Sequence, residues 1–266
     1  MVSTVAKAVS LLETLGADIS ELGLAELAGR VGFDKTTTRR LLISLIECGL
    51  VEQDERSRCY RLGAGISRLA LLREAQFPFL RTATPTVERL AQETGETVHL
   101  SEYSSRGLVS VHVVESTKAN RVSVPVGMIL PLHATASGIA LLAFARKKLR
   151  DAVAEGPFPA FTRHTVSAPE ELSKLIEAAR ARGYSTSTQG FEEGVFSVAA
   201  PILGVDGIAI GALAIATPQV RIRKGDIERH GAAVAAGASE IGEHLFGLLP
   251  SSAHAAAQPQ RARARI

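Results

Sequence analysis

Cysteine is scarce in this chain of 266 residues. Cys48 and Cys59 are the only two, and they do not form a Cys-x-x-Cys spacing. A disulfide framework or a zinc site built on paired cysteines is therefore not expected, and each cysteine is interpreted as a small, buried or partly buried side chain. His99 and His112 fall on neighbouring predicted strands and could approach each other, but no acidic partner at ligand spacing supports a zinc site.

The chain also lacks a long, unbroken apolar run. Its longest apolar stretch, residues 196–216, is interrupted by Pro201, Gly204, Asp206 and Gly207. This pattern predicts two strands around a turn at 205–207 and not a membrane span. The first residues form an amphipathic pattern instead of a charged segment followed by an apolar core, so no signal peptide is predicted. We therefore expect a cytoplasmic protein without a membrane partner.

Sequence motifs of catalysis and nucleotide binding are missing as well. No Walker loop occurs, no Gly-x-Gly-x-x-Gly segment follows a predicted strand, and Ser137-Gly138 lacks the Gly-x-Ser-x-Gly pattern of a nucleophile elbow. Glu192 and Glu193 are adjacent on an extended segment, so their side chains point in opposite directions, and they are expected to shape a loop. The sequence therefore predicts no enzyme, no cofactor and no metal site.

A large excess of positive charge is also absent. The 30 basic and 27 acidic side chains give a net charge of +3, and Arg261, Arg263 and Arg265 account for that excess. They lie in a tail, residues 251–266, that is rich in Ala, Gln, Pro and Arg and is predicted to be disordered. An argument for nucleic acid must therefore depend on where the other cations lie. The remaining length fits two domains.

Residues 23–62 show what the chain does have: a helix, a tight turn, a second helix and a short charged hairpin. Gly32 supplies the turn, and Asp34 is a good N-cap for the second helix, predicted over 35–48. Apolar residues three or four positions apart form one stripe on the first helix: Leu24, Leu27, Ala28 and Val31. A further amphipathic helix ahead of the pair completes a small core with Val5, Ala8, Val9, Leu11, Leu12 and Leu15.

The second helix of the pair has two different faces. Its apolar face consists of Thr38, Leu41, Leu42 and Leu45. The opposite face is cationic at its N-terminal end, as a recognition helix needs to be, because its first turns enter the major groove while its back packs on the domain. The hairpin that follows has a polar tip and forms the wing. We predict a winged helix-turn-helix over residues 1–62 that binds DNA through Lys35, Thr36, Thr37, Arg39, Arg40, Arg56 and Arg58.

Two alternatives to this interpretation stay open. In the wing, Arg56 and Arg58 could belong to a solvated turn and pair with Asp54 and Glu55. A short amphipathic helix pair with a glycine turn is also common in proteins that do not touch nucleic acid. The alternative function is therefore a protein-interaction module with a vestigial winged helix and no specific operator.

After the wing, the pattern predicts a linker helix over residues 63–78 and an α+β domain over residues 79–250. The two-domain fold class is thus a mainly α winged helix joined by a linker helix to an α+β domain. Within the second domain, helices are predicted over 80–93, 137–145, 147–155, 169–182 and 226–249. Strands are predicted over 98–103, 108–114, 121–126, 197–203 and 208–217.

Several segments of the second domain carry a family likeness: Pro131-Leu132-His133-Ala134-Thr135-Ala136-Ser137-Gly138, Gly183-Tyr184, Glu192-Glu193-Gly194-Val195, Ala199-Ala200-Pro201-Ile202 and Gly211-Ala212-Leu213. They resemble the signature of the IclR family of bacterial transcription regulators. Lys35-Thr36-Thr37 and Arg40-Leu41-Leu42 resemble the family's N-terminal domain. The resemblance extends over nearly all of residues 5–249.

The resemblance implies a homodimer or homotetramer whose winged helices bind a palindromic operator of double-stranded DNA. It also implies a GAF-like C-terminal domain that binds a small organic-acid effector. Two-fold protein symmetry and an inverted-repeat operator go together geometrically. Repressor is the more frequent role in the family and is expected here. The linker helix connects both domains, so it must carry or relay the coupling between effector and DNA.

The resemblance also implies where the effector binds, in the loop and helix start after the Pro-Leu-His-Ala motif. Ala136 and Ser137 match that place, and free N–H groups at a helix N-terminus form a ready anion site. The alternative is that Ser137 only caps its helix while Thr135 satisfies the loop. Further pocket positions carried over from the resemblance are Ser187, Ser197, Ala214 and Ala216, with Met128 and Leu130 nearby.

Some of these positions are less polar here than in family members whose ligands are small keto acids. Ser187 and Ser197 stand where such members can have an acidic residue or a cysteine, and Ala214 and Ala216 stand where they can have hydroxyls. An unpaired polar group costs about 1–3 kcal/mol, so an apolar wall disfavours a small, highly polar ligand. We expect an effector with a carboxylate and an apolar or aromatic body. His133 is expected to hold the loop by a hydrogen bond.

Overall fold

The computed structural model describes residues 3–17, 21–223 and 225–247. The boundary between two compact units falls between Pro78 and Phe79. The predicted disordered tail, residues 251–266, lies outside the described residues. Among the described helices, none has the length and apolar character needed to cross a membrane.

The first unit is a small helical domain with a hairpin. Its elements in chain order are α1 (Thr4–Ala17), α2 (Leu24–Val31), α3 (Lys35–Glu47), β1 (Val51–Gln53), β2 (Tyr60–Leu62) and α4 (Ala64–Gln76). The strands β1 and β2 pair in antiparallel fashion, with Val51 opposite Leu62. This arrangement confirms the predicted order of helix, turn, helix and wing.

Local chemistry sets the angle between α2 and α3. Gly32 ends α2 in the left-handed region at φ 71°, which glycine adopts without the steric cost that a Cβ brings. The Asp34 carboxylate then accepts a hydrogen bond from the Thr37 N–H at 2.8 Å and begins α3. The two helices pack their apolar stripes into one core with α1 and the hairpin: Leu11, Leu15, Leu22, Leu27, Leu41, Leu42, Leu45, Val51 and Tyr60.

Two details of the first unit differ from the sequence prediction. Val5 was expected in the core, but it lies near the N-terminus of α1 and is 73% exposed. Cys48 was expected to be buried or partly buried, but it is exposed, because it follows the last residue of α3 at the helix C-cap. Cys59 is half-buried in the hairpin, as predicted.

The second unit is an α+β domain. Its helices are α5 (Phe79–Thr94), α6 (Ala136–Ala143), α7 (Lys147–Ala154), α8 (Pro169–Arg182) and α9 (Asp226–Phe246). Its strands are β3 (Thr97–Ser104), β4 (Gly107–Val114), β5 (Ile129–Leu130), β6 (Ser185–Thr188), β7 (Val195–Leu203) and β8 (Ala209–Pro218). In the described part of the chain these strands form one sheet in the order β5-β4-β3-β8-β7-β6.

Helices cover both faces of this antiparallel sheet. Ala214 of β8 packs with Ala136 and Ala140 of α6 on one face. The next residue back, Leu213, points to the other face, where its side chain reaches Gly237 of α9. Because β8 is covered on both sides, its residues from Gly211 to Pro218 are all buried, which explains why its sequence is apolar without alternation.

The predicted strand over 121–126 is wrong, and the strand β6 was not predicted. Residues 121–126 run without a strand partner, although Val122 and Val124 are buried. Instead of a backbone ladder, the Thr97 hydroxyl donates to the Val122 carbonyl at 2.6 Å. The segment 185–188 (Ser-Thr-Ser-Thr) lacks the apolar residues that predict a strand, but it pairs with β7 and forms the edge of the sheet.

Candidate functional site

The exposed side of α3 carries the predicted cationic face. Lys35, Thr36, Arg39 and Arg40 are exposed and Thr37 is half-buried. Thr38 on the inner side is fully buried, and its hydroxyl donates to the Asp34 carbonyl at 2.9 Å. The helix therefore presents a polar, cationic surface at its N-terminal half and an apolar back to the domain, as a groove-binding helix requires.

The cations of this face are not neutralised by their neighbours. Within the described residues, Lys35, Arg39 and Arg40 form no ion pair with a carboxylate. The first turn of α3 contains no acidic residue, and the pKa of the N-cap Asp34 is lowered by hydrogen bonds from Thr37. Its oxygen is directed at the helix N–H groups. The cations remain available for phosphates or base edges.

The wing is braced by a small network of ion pairs. Arg61 on β2 contacts Glu21 at 2.9 Å and Glu52 on β1 at 3.2 Å. The Asp54 carboxylate accepts hydrogen bonds from the backbone N–H groups of Arg56 and Ser57 at 3.0 and 2.7 Å. These contacts fix the shape of the hairpin tip.

The proposed pairing of Arg56 and Arg58 with Asp54 and Glu55 is not what the structure shows. Asp54 holds the main chain of the tip, and neither arginine side chain forms an ion pair among the described residues. Both arginines are exposed. Their guanidinium groups are thus open to an anionic partner, alongside the cations of α3 on the same domain.

The second candidate site is a cavity in the α+β unit. The cavity has a volume of about 60 Å³, counted as the space that the centre of a water molecule can occupy. All space free of protein atoms, including the open solvent at the mouth, amounts to about 540 Å³. Most of the predicted pocket residues line this cavity: Met128, Leu130, Ala136, Ser137, Ser187, Ser197 and Ala216. Ala214 does not. It is fully buried under α6 against Ala140 and Ala199, because the helix covers β8 at that position.

The N-terminus of α6 borders the cavity. Thr135 caps this helix: its hydroxyl oxygen accepts from the Gly138 N–H at 3.0 Å and donates to the Pro131 carbonyl at 2.9 Å. The N–H groups of Ala136 and Ser137 have no hydrogen-bond acceptor within the described residues. Ser137 is therefore not the cap of its helix, and the free N–H groups lie next to its hydroxyl, where the helix N-terminus favours negative charge.

A close backbone contact fixes the start of α6. A Cβ on Gly138 would lie 2.4 Å from both the Cα and the carbonyl oxygen of Leu132, so only glycine fits there. Gly190, which also lines the cavity, is packed as tightly: a Cβ there would lie 2.6 Å from the Ala134 carbonyl oxygen. These two contacts place the walls of the cavity and explain the glycines in the sequence.

His99 is a cavity residue that the sequence did not reveal. It lies on β3 opposite Ala214, and its Nε2 is 3.3 Å from the Ser137 Oγ. Its Nδ1 is buried and has no hydrogen-bond partner among the described residues. Burial lowers the pKa of His99 to about 4, so the ring is neutral at physiological pH and carries one N–H donor.

His99 and His112 lie on neighbouring strands, as predicted, but they do not face each other. In the register of β3 and β4, His112 lies opposite Leu100. His99 and His112 therefore point to opposite faces of the sheet. Within the described residues no three potential ligands of the His, Cys, Asp and Glu types converge on a metal. The interpretation of His133 is confirmed: its Nε2 lies 3.0 Å from the Pro159 carbonyl oxygen.

Apolar side chains make up most of the rest of the cavity wall. Val122, Val124, Val195 and Phe191 add to the apolar residues already predicted. Glu192 lies at the edge and is exposed. No local motif announces Phe191 or Val124, because they reach the cavity only through loop conformations. Thr162 and Thr165 fix the loop next to Phe191 by donating to the carbonyls of Gln189 and Gly190.

A winged helix followed by an α+β domain with a largely apolar cavity is the architecture of a ligand-responsive DNA-binding regulator. Family models agree with this class. Residues 4–55 match the IclR helix-turn-helix domain, and residues 75–243 match the C-terminal domain of bacterial transcriptional regulators of the IclR type. The chain belongs to the IclR family and is a DNA-binding transcriptional regulator.

Similar proteins support the assignment. The glycerol operon regulatory protein of Streptomyces coelicolor is 32% identical over 227 residues, which cover 85% of this chain and 89% of that protein. The crystal structure of a proposed IclR transcriptional regulator from Silicibacter sp. TM1040 has a TM-score of 0.81 and 38% identity, and the match covers 93% of this chain and 98% of that one.

One similar structure contains a small molecule. It is an IclR homologue from Microbacterium hydrocarbonoxydans complexed with 4-hydroxybenzoate, with a TM-score of 0.80 and 26% identity over 91% of this chain and 99% of that one. These relatives are regulators or regulator homologues, which favours regulation over the alternative of a protein-interaction module.

Proposed function

We propose that this protein represses transcription by binding a palindromic operator as a homodimer or a dimer of dimers, and that an organic acid in the cavity of the α+β unit alters this binding. The single observation that carries the effector proposal is the free N–H pair of Ala136 and Ser137 beside the neutral His99. A helix N-terminus with unused donors favours a carboxylate.

The wall of the cavity supports a ligand with an apolar or aromatic body. Away from the α6 N-terminus the lining is dominated by Val122, Val124, Met128, Leu130 and Ala216. A small, strongly polar acid leaves its remaining polar atoms without partners against such a wall, whereas a ring fills it. The related structure with 4-hydroxybenzoate gives a suitable first ligand.

On the DNA side, the proposed contacts are the cations and hydroxyls of the α3 face, Lys35, Thr36, Thr37, Arg39 and Arg40, together with Arg56 and Arg58 of the wing. Their exposure and their lack of ion pairs within the described chain support this assignment. We expect the protein to act where the bacterial chromosome lies, in the cytoplasm.

Dimerisation is proposed through α4. In the described structure this helix buries none of its side chains, and Leu69, Leu71 and Leu72 are 51%, 71% and 50% exposed. Leu69 also lines an apolar groove with Leu50 at the end of α3. Apolar surface of this extent on one helix is typical of an interface, and a second copy would supply the two-fold symmetry that a palindromic operator needs.

The proposal is tested on the DNA next to the protein's own gene. Purified protein is expected to shift the adjacent intergenic fragment and to leave an internal coding fragment of the same length unbound. Addition of 4-hydroxybenzoate is expected to change the midpoint of the shift, whereas glyoxylate and pyruvate leave it unchanged. A protein that binds both fragments equally, or that responds to glyoxylate or pyruvate in preference to every aromatic acid, contradicts the proposal.

A further inference from the structure

A second cavity opens on the other face of the sheet. Ala216 of β8 lines the effector cavity, while its neighbour Thr217 lines this one, because successive strand residues point to opposite faces. The second cavity has a volume of about 350 Å³, counted as the space that the centre of a water molecule can occupy. Its wall includes Glu96, Lys118, Thr217, Arg223, Arg229 and His230.

The wall of this cavity is almost entirely polar. Val220 is the one apolar side chain among the described residues that line it. The effector cavity, in contrast, is lined largely by apolar side chains. The second cavity therefore offers no surface for an apolar body, and its occupant must be held by charge and hydrogen bonds.

Positive charge exceeds negative charge in the described wall. Its cations are those of Lys118, Arg221, Arg223 and Arg229, and its carboxylates are those of Glu96 and Asp226. The Glu96 side chain is 6% exposed, and its carboxylate forms ion pairs with the Lys118 Nζ at 2.8 Å and the Arg221 Nη2 at 2.6 Å. Burial raises the pKa of Glu96, but these hydrogen bonds outweigh burial and lower it, so Glu96 is ionised. Asp226 is paired with Arg229 at 2.7 Å.

The ion pairs leave two positive charges without a counter-charge inside the cavity. Glu96 balances only one of Lys118 and Arg221, and Asp226 balances Arg229. The Arg223 side chain is exposed and has no ion-pair partner among the described residues. Because these cations line one polar cavity, their combined field attracts an anion, and a charge of minus two would match them.

Two buried polar atoms also lack partners at this cavity. The Nδ1 of His230 and the Oγ1 of Thr217 form no hydrogen bond within the described structure. His230 is 4% exposed and Thr217 is 3% exposed. Buried polar atoms are normally paired, so two orphans on one polar cavity indicate a missing partner that accepts and donates hydrogen bonds.

We propose that this cavity binds a small dianionic oxyanion, namely a phosphate group. Arg223, and the N–H donors of Arg229 that its ion pair with Asp226 does not use, match phosphate oxygens in geometry. The unpaired groups of Thr217 and His230 complete the hydrogen bonds. The phosphate group comes either from inorganic phosphate or from a phosphomonoester that projects through the mouth. The site is separate from the effector cavity, with which it shares no lining residue.

The test is isothermal titration of the full-length protein with inorganic phosphate and, separately, with phenyl phosphate, at constant ionic strength. We expect one saturable site per chain for at least one of the two, and the pair of titrations tells which source fits. The variant Arg223→Gln/Arg229→Gln is expected to weaken binding by about tenfold or more. Arg146→Gln/Lys147→Gln makes the same change in charge at the start of α7, outside the cavity, and is expected to leave the affinity unchanged.

A second variant guards against misfolding of the first. Thr217→Val keeps the shape of the side chain and removes the orphaned hydroxyl, so it is expected to raise the melting temperature without phosphate and to reduce the stabilisation that phosphate gives. Absence of saturable binding of both probes at millimolar concentration overturns the proposal. Wild-type affinity in both the double arginine variant and Thr217→Val overturns it as well. Titration with 4-hydroxybenzoate reports on the other cavity and is independent of either result.

Discussion

His99 and Ser137 link the sheet to α6 at the wall of the effector cavity: the His99 Nε2 lies 3.3 Å from the Ser137 Oγ. The two residues are 38 positions apart in sequence, on β3 and at the start of α6. Their contact places a neutral ring and a hydroxyl beside the free N–H groups of the helix. The combination is a polar corner in a cavity lined largely by apolar side chains, and we expect it to orient a carboxylate by hydrogen bonds and by the helix dipole.

Removal of the Ser137 hydroxyl is expected to weaken effector binding. In Ser137→Ala the carboxylate loses one hydrogen bond, and a hydrogen bond to a charged group is worth about 1.5–3 kcal/mol, so affinity falls by about tenfold or more. Calorimetric titration with 4-hydroxybenzoate measures the change. Ser123→Ala is the matched control: Ser123 also lines the cavity, but its hydroxyl is bound to Glu115 at 2.5 Å. Equal affinities of the two variants contradict the role of Ser137.

The buried His99 makes stability depend on pH. Burial lowers its folded pKa to about 4, whereas an unfolded histidine titrates near a pKa of about 6.5. Between these pH values the unfolded chain binds a proton that the folded chain does not. The contribution of His99 to the free energy of unfolding is therefore fully present above about pH 6.5 and is lost as the pH falls towards about 4. The slope from one such group is at most about 1.4 kcal/mol per pH unit.

The variant His99→Asn is expected to lose this component. Denaturant unfolding at several pH values from about 7.5 down to about 4.5 measures it, with the variant His164→Asn, an exposed histidine, as the control. His230 also has a pKa lowered mainly by burial, but it is present in both variants, so the difference isolates His99. Parallel stability curves for wild type and His99→Asn would count against a buried, neutral His99.

The sequence predicts the winged helix almost completely, because its signals are local. The αL glycine at Gly32, the cap at Asp34 and the stripe of Leu41, Leu42 and Leu45 all act within a few residues. The effector cavity is predictable only in part. Ser137 and Ala216 follow from a family likeness, whereas His99 requires the register of β3 on β8, and register is set by tertiary pairing.

Two errors show the same limit. Val122 and Val124 alternate with polar residues as a strand would, but no sheet edge in the described part of the chain pairs with them, so the period-2 pattern reflects burial without a ladder. Ala214 has the right sequence position for the cavity and faces the right side of the sheet. It is covered by α6 at a point that only the packing of the helix decides.

Gly138 is expected to tolerate no side chain. A Cβ there would lie 2.4 Å from backbone atoms of Leu132, and because backbone cannot swing aside, Gly138→Ala should cost about 3 kcal/mol or more. Gly29→Ala is the contrast: a Cβ on this exposed glycine of α2 would meet no heavy atom within 4 Å among the described residues, and alanine there should add up to about 1 kcal/mol. Denaturant unfolding that finds the same sign for both variants contradicts the close contact.

The α3 cations are expected to control operator affinity. Each phosphate contact contributes about 0.9 to the slope of log affinity against log salt. Arg39→Ala/Arg40→Ala should therefore bind the operator more weakly and with a slope smaller by about two where both arginines contact phosphates. Lys147→Ala/Lys148→Ala, a pair of exposed lysines at the start of α7, removes the same charge and should match wild type. Operator binding that survives unchanged in the arginine variant refutes the docking face.

The exposed leucines of α4 are expected to hold the dimer together. Leu69 and Leu72 are three positions apart and lie on one face, so Leu69→Glu/Leu72→Glu places two like charges in a proposed apolar interface. Light scattering should then find a monomer where wild type is a dimer or tetramer, and operator binding should fall because two half-sites need two linked winged helices. Val5→Glu/Val205→Glu changes two exposed apolar residues outside α4. If that pair dissociates the oligomer and the α4 pair does not, the interface lies elsewhere.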